Sequence, residues 1–402
     1  MWENSNARNL FLGRLISSTG DSIYQIVVIW YVYELTHNVF YTGLASAVTF
    51  FPKALNFLFG PFIEFGNQKK ILIRSQFIQC SLLFIVPIMI LLGYENIWLV
   101  LFVIGVVSFV ENIQGTAEIS IVTKVIDKKY LGTYNSFVSS GQQMVEICMK
   151  GFFAFIIVYI GIGNIYLFSS FAFLLATFCF MKVTYMPKQS TLPKQFTWKI
   201  YKQDLKSGFI YFFTTNIAIV CFPFLLSNFI SGMTLAILPA YADEKMSQND
   251  YGILIMSMTV GNLLGSLLAT KCMKYPLGKM MTILPFSSFI LWISSVFISG
   301  KIVTLFIFGL AFVPFGIMSI LFITYLQTSL DQKLISRVVT IIDSVLVSTM
   351  PIGSLLAGIF TPIIGVKAMM IIGSCGLLCI SGFFVFNRQL KNMQSVTNEQ
   401  TG

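Results

Sequence analysis

The sequence predicts an all-α membrane protein whose twelve transmembrane helices form two pseudo-symmetric six-helix bundles. Three observations predict it: a shortage of charge, a series of apolar runs of membrane-spanning length, and basic residues gathered on one side of those runs. Of 402 residues, 56% are hydrophobic and only 10% charged, whereas soluble domains average about 25% charged residues. Burying this much apolar surface in water would need a very large core. In a bilayer the same side chains can face outward into lipid.

A helix needs about 20 mostly apolar residues to cross the hydrocarbon layer. On that ruler the first six spans fall near 10–35, 42–63, 71–93, 97–121, 133–160 and 163–183. Six more follow near 209–240, 251–271, 280–299, 302–326, 336–361 and 365–387. Between them, 184–208 carries two prolines and a run of lysines, the composition of a solvated linker. The expected domains are therefore a bundle over 1–183, a cytoplasmic linker over 184–208, and a second bundle with a short cytoplasmic tail over 209–402. The polar N-terminus and the amphipathic first run do not suggest a cleaved signal peptide.

Charge placement orders these elements. With the N-terminus in the cytoplasm, the inner segments collect Arg8 and Arg14, then Lys69, Lys70 and Arg74, then Lys124, Lys128 and Lys129. The lysine-rich linker comes next, then Lys271, Lys274 and Lys279, then Lys333 and Arg337, then Arg388 and Lys391. Of 26 basic residues, 21 lie inside, three outside (Lys245, Lys301, Lys367), and Lys53 and Lys150 sit within spans. Such a bias places both termini in the cytoplasm and the chain in the cytoplasmic membrane. It also accounts for the formal charge of +10 without a nucleic-acid partner. The halves rhyme: Gly60-Pro61 followed by Lys69-Lys70 has a counterpart in Gly265-Ser266, Lys271 and Gly278-Lys279. Repeated halves around a midplane site are the physical basis of many transporters.

The first span reads Phe11-Leu12-Gly13-Arg14-Leu15-Ile16-Ser17, then Gly20-Asp21, and closes on Tyr33-Glu34-Leu35-Thr36. After span two, Gly60, Glu64 and Lys69 fall at positions of a G-x-x-x-D-R-x-G-R-K pattern, while Phe65, Asn67 and Gln68 depart from it. Span eleven carries Met350-Pro351-Ile352-Gly353-Ser354-Leu355-Leu356-Ala357-Gly358. In these features the chain resembles the major facilitator superfamily, and within it the macrolide-efflux (drug:proton antiporter-3) branch, which includes siderophore and metallophore exporters. A Gly-Pro signature typical of antiporters would fall in span five, where Cys148-Met149-Lys150-Gly151 stands instead. The resemblance implies export of antibiotics or self-made metabolites, with Gly60, Glu64 and Lys69 in a gate.

An ionisable group at the bilayer centre costs roughly 2.5–3.5 kcal/mol on insertion scales, so each one calls for a partner or a task. Asp21 lies near the middle of span one, with Arg14 and Gln25 on nearly the same face. Glu111 and Glu118 share a face of span four, Glu118 nearer the cytoplasmic end as a gate or surface partner. Asp21 and Glu111 are the proton-coupling candidates. Lys53 and the i, i+4 pair Glu146–Lys150 form either a neutralised cluster or contacts for carboxylates on the cargo. Tyr24, Gln25, Asn56, Gln142 and Asn216 are further substrate-binding candidates, chosen for polarity within a span. Arg14, Glu118 and Asp343 join the gating set, Asp343 being the one plausible buried charge of the second half.

Seven cysteines form no C-x-x-C pair and His37 stands alone, so neither a metal site nor a catalytic triad is expected. No Walker A sequence is present, no cofactor is implied, and the chain does not read as an enzyme. The expected function is proton-coupled export of a small organic molecule. The buried lysines lean it toward a carboxylate-bearing or zwitterionic metabolite such as a metallophore. Drug efflux and lipid flipping are the alternatives, and a monomer suffices for such a carrier.

Overall fold

The computed structural model describes residues 4–58, 66–184, 210, 217–247, 250–329 and 335–395. Gly60, Glu64 and Asn216 lie outside the described residues, as does the linker beyond Thr184. Every regular element among the described residues is a helix: α1 (Ser5–Thr36), α2 (Val39–Ala54), α3 (Gln68–Leu91), α4 (Ile97–Val125), α5 (Lys128–Ile160), α6 (Ile162–Met181), α7 (Ile217–Lys245), α8 (Tyr251–Cys272), α9 (Leu277–Phe297), α10 (Lys301–Ala311), α11 (Val313–Ser329), α12 (Ile335–Val347), α13 (Thr349–Ile364), α14 (Val366–Phe386) and α15 (Arg388–Lys391). Lipid offers the backbone no hydrogen bonds, so helices that satisfy their own amides are the stable way across.

Nine spans among the described residues are long and apolar enough to cross a membrane unaided. Two of them, Lys301–Leu326 and Ile341–Ile364, are each assembled from two consecutive helices. Helix α1 falls short of that standard, diluted by polar side chains such as Arg14, Asp21 and Gln25, and the described part of α2 has 16 residues.

The chain divides into two compact units, one containing Val48–Leu205 and the N-terminal helix α1, the other containing Asn38–Ala47 and the helices from α7 onward. In the first unit α1 packs on α5 and α6, and α3 packs on α4 and α6. In the second, α7 packs on α13 and α14, and α9 packs on α10 and α14. The same scheme of neighbours thus recurs in each unit.

Two turns repeat as well. Gly161 joins α5 to α6 with φ 76° and ψ 154°, and Gly365 joins α13 to α14 with φ 88° and ψ 154°. A residue bearing a Cβ adopts such angles only under strain, so glycine permits both one-residue corners.

Within the first unit, Gly13 and Gly20 lie two turns apart on α1 and form notches for Phe180 and Phe173, also two turns apart on α6. A Cβ at either glycine would come within 3 Å of the ring. Within the second unit, closer seams join helices: Gly265 faces the Val313 carbonyl, Gly316 that of Asn262, and Gly353 that of Phe229. Small residues here let backbones touch, the usual solution where lipid supplies no hydrophobic drive to association. The first half of α2 belongs to this unit too. There Thr42 Oγ1 donates to Ala236 O at 2.7 Å, and Gly43 abuts Ser354 and Gly358.

Candidate functional site

The first unit holds a chain of polar side chains inside its apolar shell. Gly13 and Gly20 press α1 onto α6, and the adjoining flank of α1 meets α4 and α5 and, through Ser17, Gln76 of α3. That flank carries Arg14, Ser17, Asp21, Tyr24 and Gln25. On α4, Glu111, Gln114 and Glu118 recur at helical spacing and meet it.

Arg14 lies between two carboxylates. Its Nε is 3.4 Å from Glu118 and its Nη1 is 4.0 Å from Asp21. With its amide turned so that the oxygen faces Arg14, Gln142 of α5 accepts from the same guanidinium at 2.7 and 2.8 Å. Both carboxylates are buried, Asp21 8% and Glu118 7% exposed. Glu118 is thus an interior group; as a surface partner it would not have had to exchange its hydration for Arg14.

Ser17, one turn before Asp21, is a hub. Its hydroxyl accepts from Gln76 Nε2 at 2.9 Å and Gln114 Nε2 at 3.1 Å, and it donates to Asp21 at 3.5 Å. Ser17, Gln76 and Gln114 are almost wholly buried. Sequence reasoning passed over these three. Gln76, Gln79 and Gln114 each interrupt an apolar run, the same signal that selected Gln142, and it would have found them. Ser17 carries no such signal, since serine in a span equally often serves packing.

A second pair sits on the same face of α4. Glu111 Oε1 is 3.6 Å from Lys53 Nζ and accepts from Gln25 Nε2 at 3.2 Å. Lys53 reaches it because α4 pins the C-terminal end of α2: Asn112 Nδ2 donates to Pro52 O at 2.9 Å, and Thr116 Oγ1 donates to Asn56 Oδ1 at 3.0 Å. Asn56 therefore holds α2 in register. Tyr24 is buried and donates to Ile104 O at 3.3 Å.

The remaining candidates stand apart. Glu146 and Lys150 pair with each other one turn apart on α5, 46% and 20% exposed at the side chain. They do not form one cluster with Lys53. Lys69 lies in the first turn of α3, behind the Asn67 cap, and enters none of the ion pairs among the described residues. Asp343, expected to be buried, is exposed on α12 in the second unit.

Within the first unit, then, three carboxylates (Asp21, Glu111, Glu118) are gathered with two cations (Arg14, Lys53). Such a set is balanced only when it binds one further positive charge.

A model of the Major Facilitator Superfamily matches residues 10–353. The chain belongs to that superfamily. It is 23% identical over 408 residues to an uncharacterised MFS-type transporter, YvqJ, of Bacillus subtilis (strain 168), covering 98% of this chain and 95% of that protein. Among solved structures, the nucleoside transporter NupG is similar with a TM-score of 0.72 at 12% identity, over 94% of this chain and 98% of that one. A bacterial homologue of the human lysosomal transporter Spinster, in an inward-facing and occupied conformation, is similar with a TM-score of 0.70 at 12% identity, over 97% and 98% of the two chains. At such identities the solved structures speak for the fold alone. This superfamily member is a multi-pass membrane transporter of small molecules, a class generally not enzymatic.

Proposed function

We propose that this transporter is a proton-coupled exporter, driving a small organic molecule out of the cytoplasm by alternating access. The supporting observation is the odd charge of the buried set: three carboxylates against two cations. One proton neutralises it. A neutral set passes through the closed, low-dielectric state at lower cost than a charged one. Asp21 and Glu111 are the proposed proton carriers. Asp21 holds only the longer of the two contacts to Arg14, and Glu111 shares its cation with bulk solvent through the partly exposed Lys53.

In the proposed cycle the outward-open state admits a proton, and the inward-open state releases it and binds cargo. A proton moving inward down a membrane potential near 100 mV releases about 2.3 kcal/mol, enough to bias the cycle. The bundles over 1–183 and 209–402, joined by the 184–208 linker, would rock against each other with both termini in the cytoplasm, and a single chain would suffice. The test is transport in proteoliposomes: Asp21→Asn and Glu111→Gln should abolish proton-driven flux while leaving downhill exchange. Proton-driven flux that survives both substitutions refutes the coupling.

For cargo we favour a self-made zwitterionic or carboxylate-bearing metabolite, such as a metallophore. Each span lysine already holds a carboxylate, and the Glu146–Lys150 pair is partly exposed. A zwitterion matches both members of such a pair. A lipophilic cationic drug, the alternative cargo, would need Glu146 but not Lys150. A lipid flippase would need neither. Export that falls with Glu146→Gln and is indifferent to Lys150→Ala would favour the drug reading. Metabolite profiles of cells with and without the gene would identify the cargo.

A further inference from the structure

The buried carboxylates need a route to the outer face, and the first unit contains a row of hydroxyls that no part of the proposed cycle has used. Tyr24 and Tyr31 are seven residues apart on one face of α1, about 10.5 Å along the axis. Tyr166 of α6 lies within electrostatic reach of both. Its ring centroid is 6.0 Å from that of Tyr31, edge to face. Tyr24 adjoins Ser108 and lies within reach of Glu111 and Asp21. At the far end Tyr31 is within reach of Glu34 and of Glu95, an exposed loop residue. Glu95, Glu34, Tyr31, Tyr166, Tyr24, Ser108 and Glu111 thus follow one another from an exposed loop to the central carboxylates, each within electrostatic reach of the next.

Tyr24 donates to Ile104 O and can accept from a neighbour, whereas the hydroxyls beyond it are buried and lack partners. Tyr31, Tyr166 and Ser108 are 2%, 1% and 0% exposed. Their hydroxyls meet no hydrogen-bond partner among the described residues, nor does Oε2 of Glu34. A single buried hydroxyl without a partner is a stability cost, and several in one row call for a shared cause. Buried water, which typically makes two to four hydrogen bonds to such groups, supplies it.

We propose that Tyr24, Tyr166 and Tyr31 hold a file of water that carries protons from the outer face to Asp21 and Glu111. This deepens the antiport reading above and rests on it. Each oxygen in the file accepts a proton from its outer neighbour and gives up another inward. The file ends unchanged, and the transferred proton resides on a carboxylate. On the inner side, Arg14 with Asp21, Glu118 and Gln142 puts a cation across the path. Protons would then enter from outside and leave only when that cation moves.

Two experiments on the full chain in lipid nanodiscs, without cargo, test this. Radiolytic footprinting marks side chains that touch bound water: Tyr31 and Tyr166 should be hydroxylated well above Phe173 and Phe308, which are as deeply buried but apolar. Labelling no greater than at those phenylalanines overturns the proposal. Infrared detection of carboxyl protonation after an outer acid jump is the second. Tyr31→Phe with Tyr166→Phe keeps the rings and removes only the hydroxyls. It should slow protonation roughly a hundredfold, as expected for loss of a proton-transfer group, without changing its final extent. A native rate in the folded double variant removes the route and leaves antiport standing. Absence of carboxyl protonation in the native protein removes both.

Discussion

Replacing Arg14 by glutamine tests the central ion set directly. The guanidinium sits 3.4 Å from Glu118 and 4.0 Å from Asp21, with the three side chains only 21%, 9% and 11% exposed. At an effective dielectric constant of 20 those separations correspond to about 5 and about 4 kcal/mol of attraction. Most of this repays the desolvation of three ions, so the net worth of the cluster is far smaller. Removing one partner is different, because it strands the others. The expected cost of Arg14→Gln is about 3–5 kcal/mol, typical of a broken buried pair. For a cooperative chain of 402 residues, that is a fall in Tm of about 4 °C, at about 1 °C per kcal/mol. Scanning calorimetry in nanodiscs measures it. Adding Glu118→Gln restores the original net charge and should recover about half the loss. A single variant that melts within 1 °C of the native protein, or a double variant that melts lower still, would refute the clamp.

The Lys53–Glu111 pair, whose lysine is 35% exposed, should show weaker coupling in a double-mutant cycle of Lys53→Gln and Glu111→Gln, about 1 kcal/mol, read from the same melting curves. Lys150→Met should cost no more than about 0.5 kcal/mol, since its i, i+4 partner is half exposed, yet should alter cargo export measured in vesicles. Gly265→Ala would put a Cβ 1.9 Å from the Val313 carbonyl oxygen and force α8 from α11, costing about 1–3 kcal/mol or preventing folding. Gly115→Ala on α4, where a Cβ would meet nothing within 4 Å, should be neutral or stabilising by up to about 1 kcal/mol in the same assay.

What could be read from the chain alone divides along a physical line. Fold class was legible because the bilayer imposes one length and one polarity on every span, whatever its neighbours. Arg14, Asp21 and Glu111 were legible because an ionisable group in an apolar run is costly wherever it points. Partnership was not. Lys53 meets Glu111 only because Asn112 and Thr116 fix the register of α2 against α4, a relation between segments some 60 residues apart. Ser17 was invisible for the same reason, since a hydroxyl becomes a hub only when Gln76 and Gln114 arrive from two other helices.

The split of α2 was equally hidden: nothing in Asn38–Ala47 distinguishes it from the turns that follow, yet Thr42 and Gly43 bond and pack within the second unit. One helix therefore contributes its beginning to one unit and, through Pro52, Lys53 and Asn56, its end to the ion set of the other. The Lys53–Glu111 pair lies wholly in the first unit, where Asn112 and Thr116 of α4 hold Pro52 and Asn56, so any change of angle along α2 would fall before Pro52 and leave the pair intact.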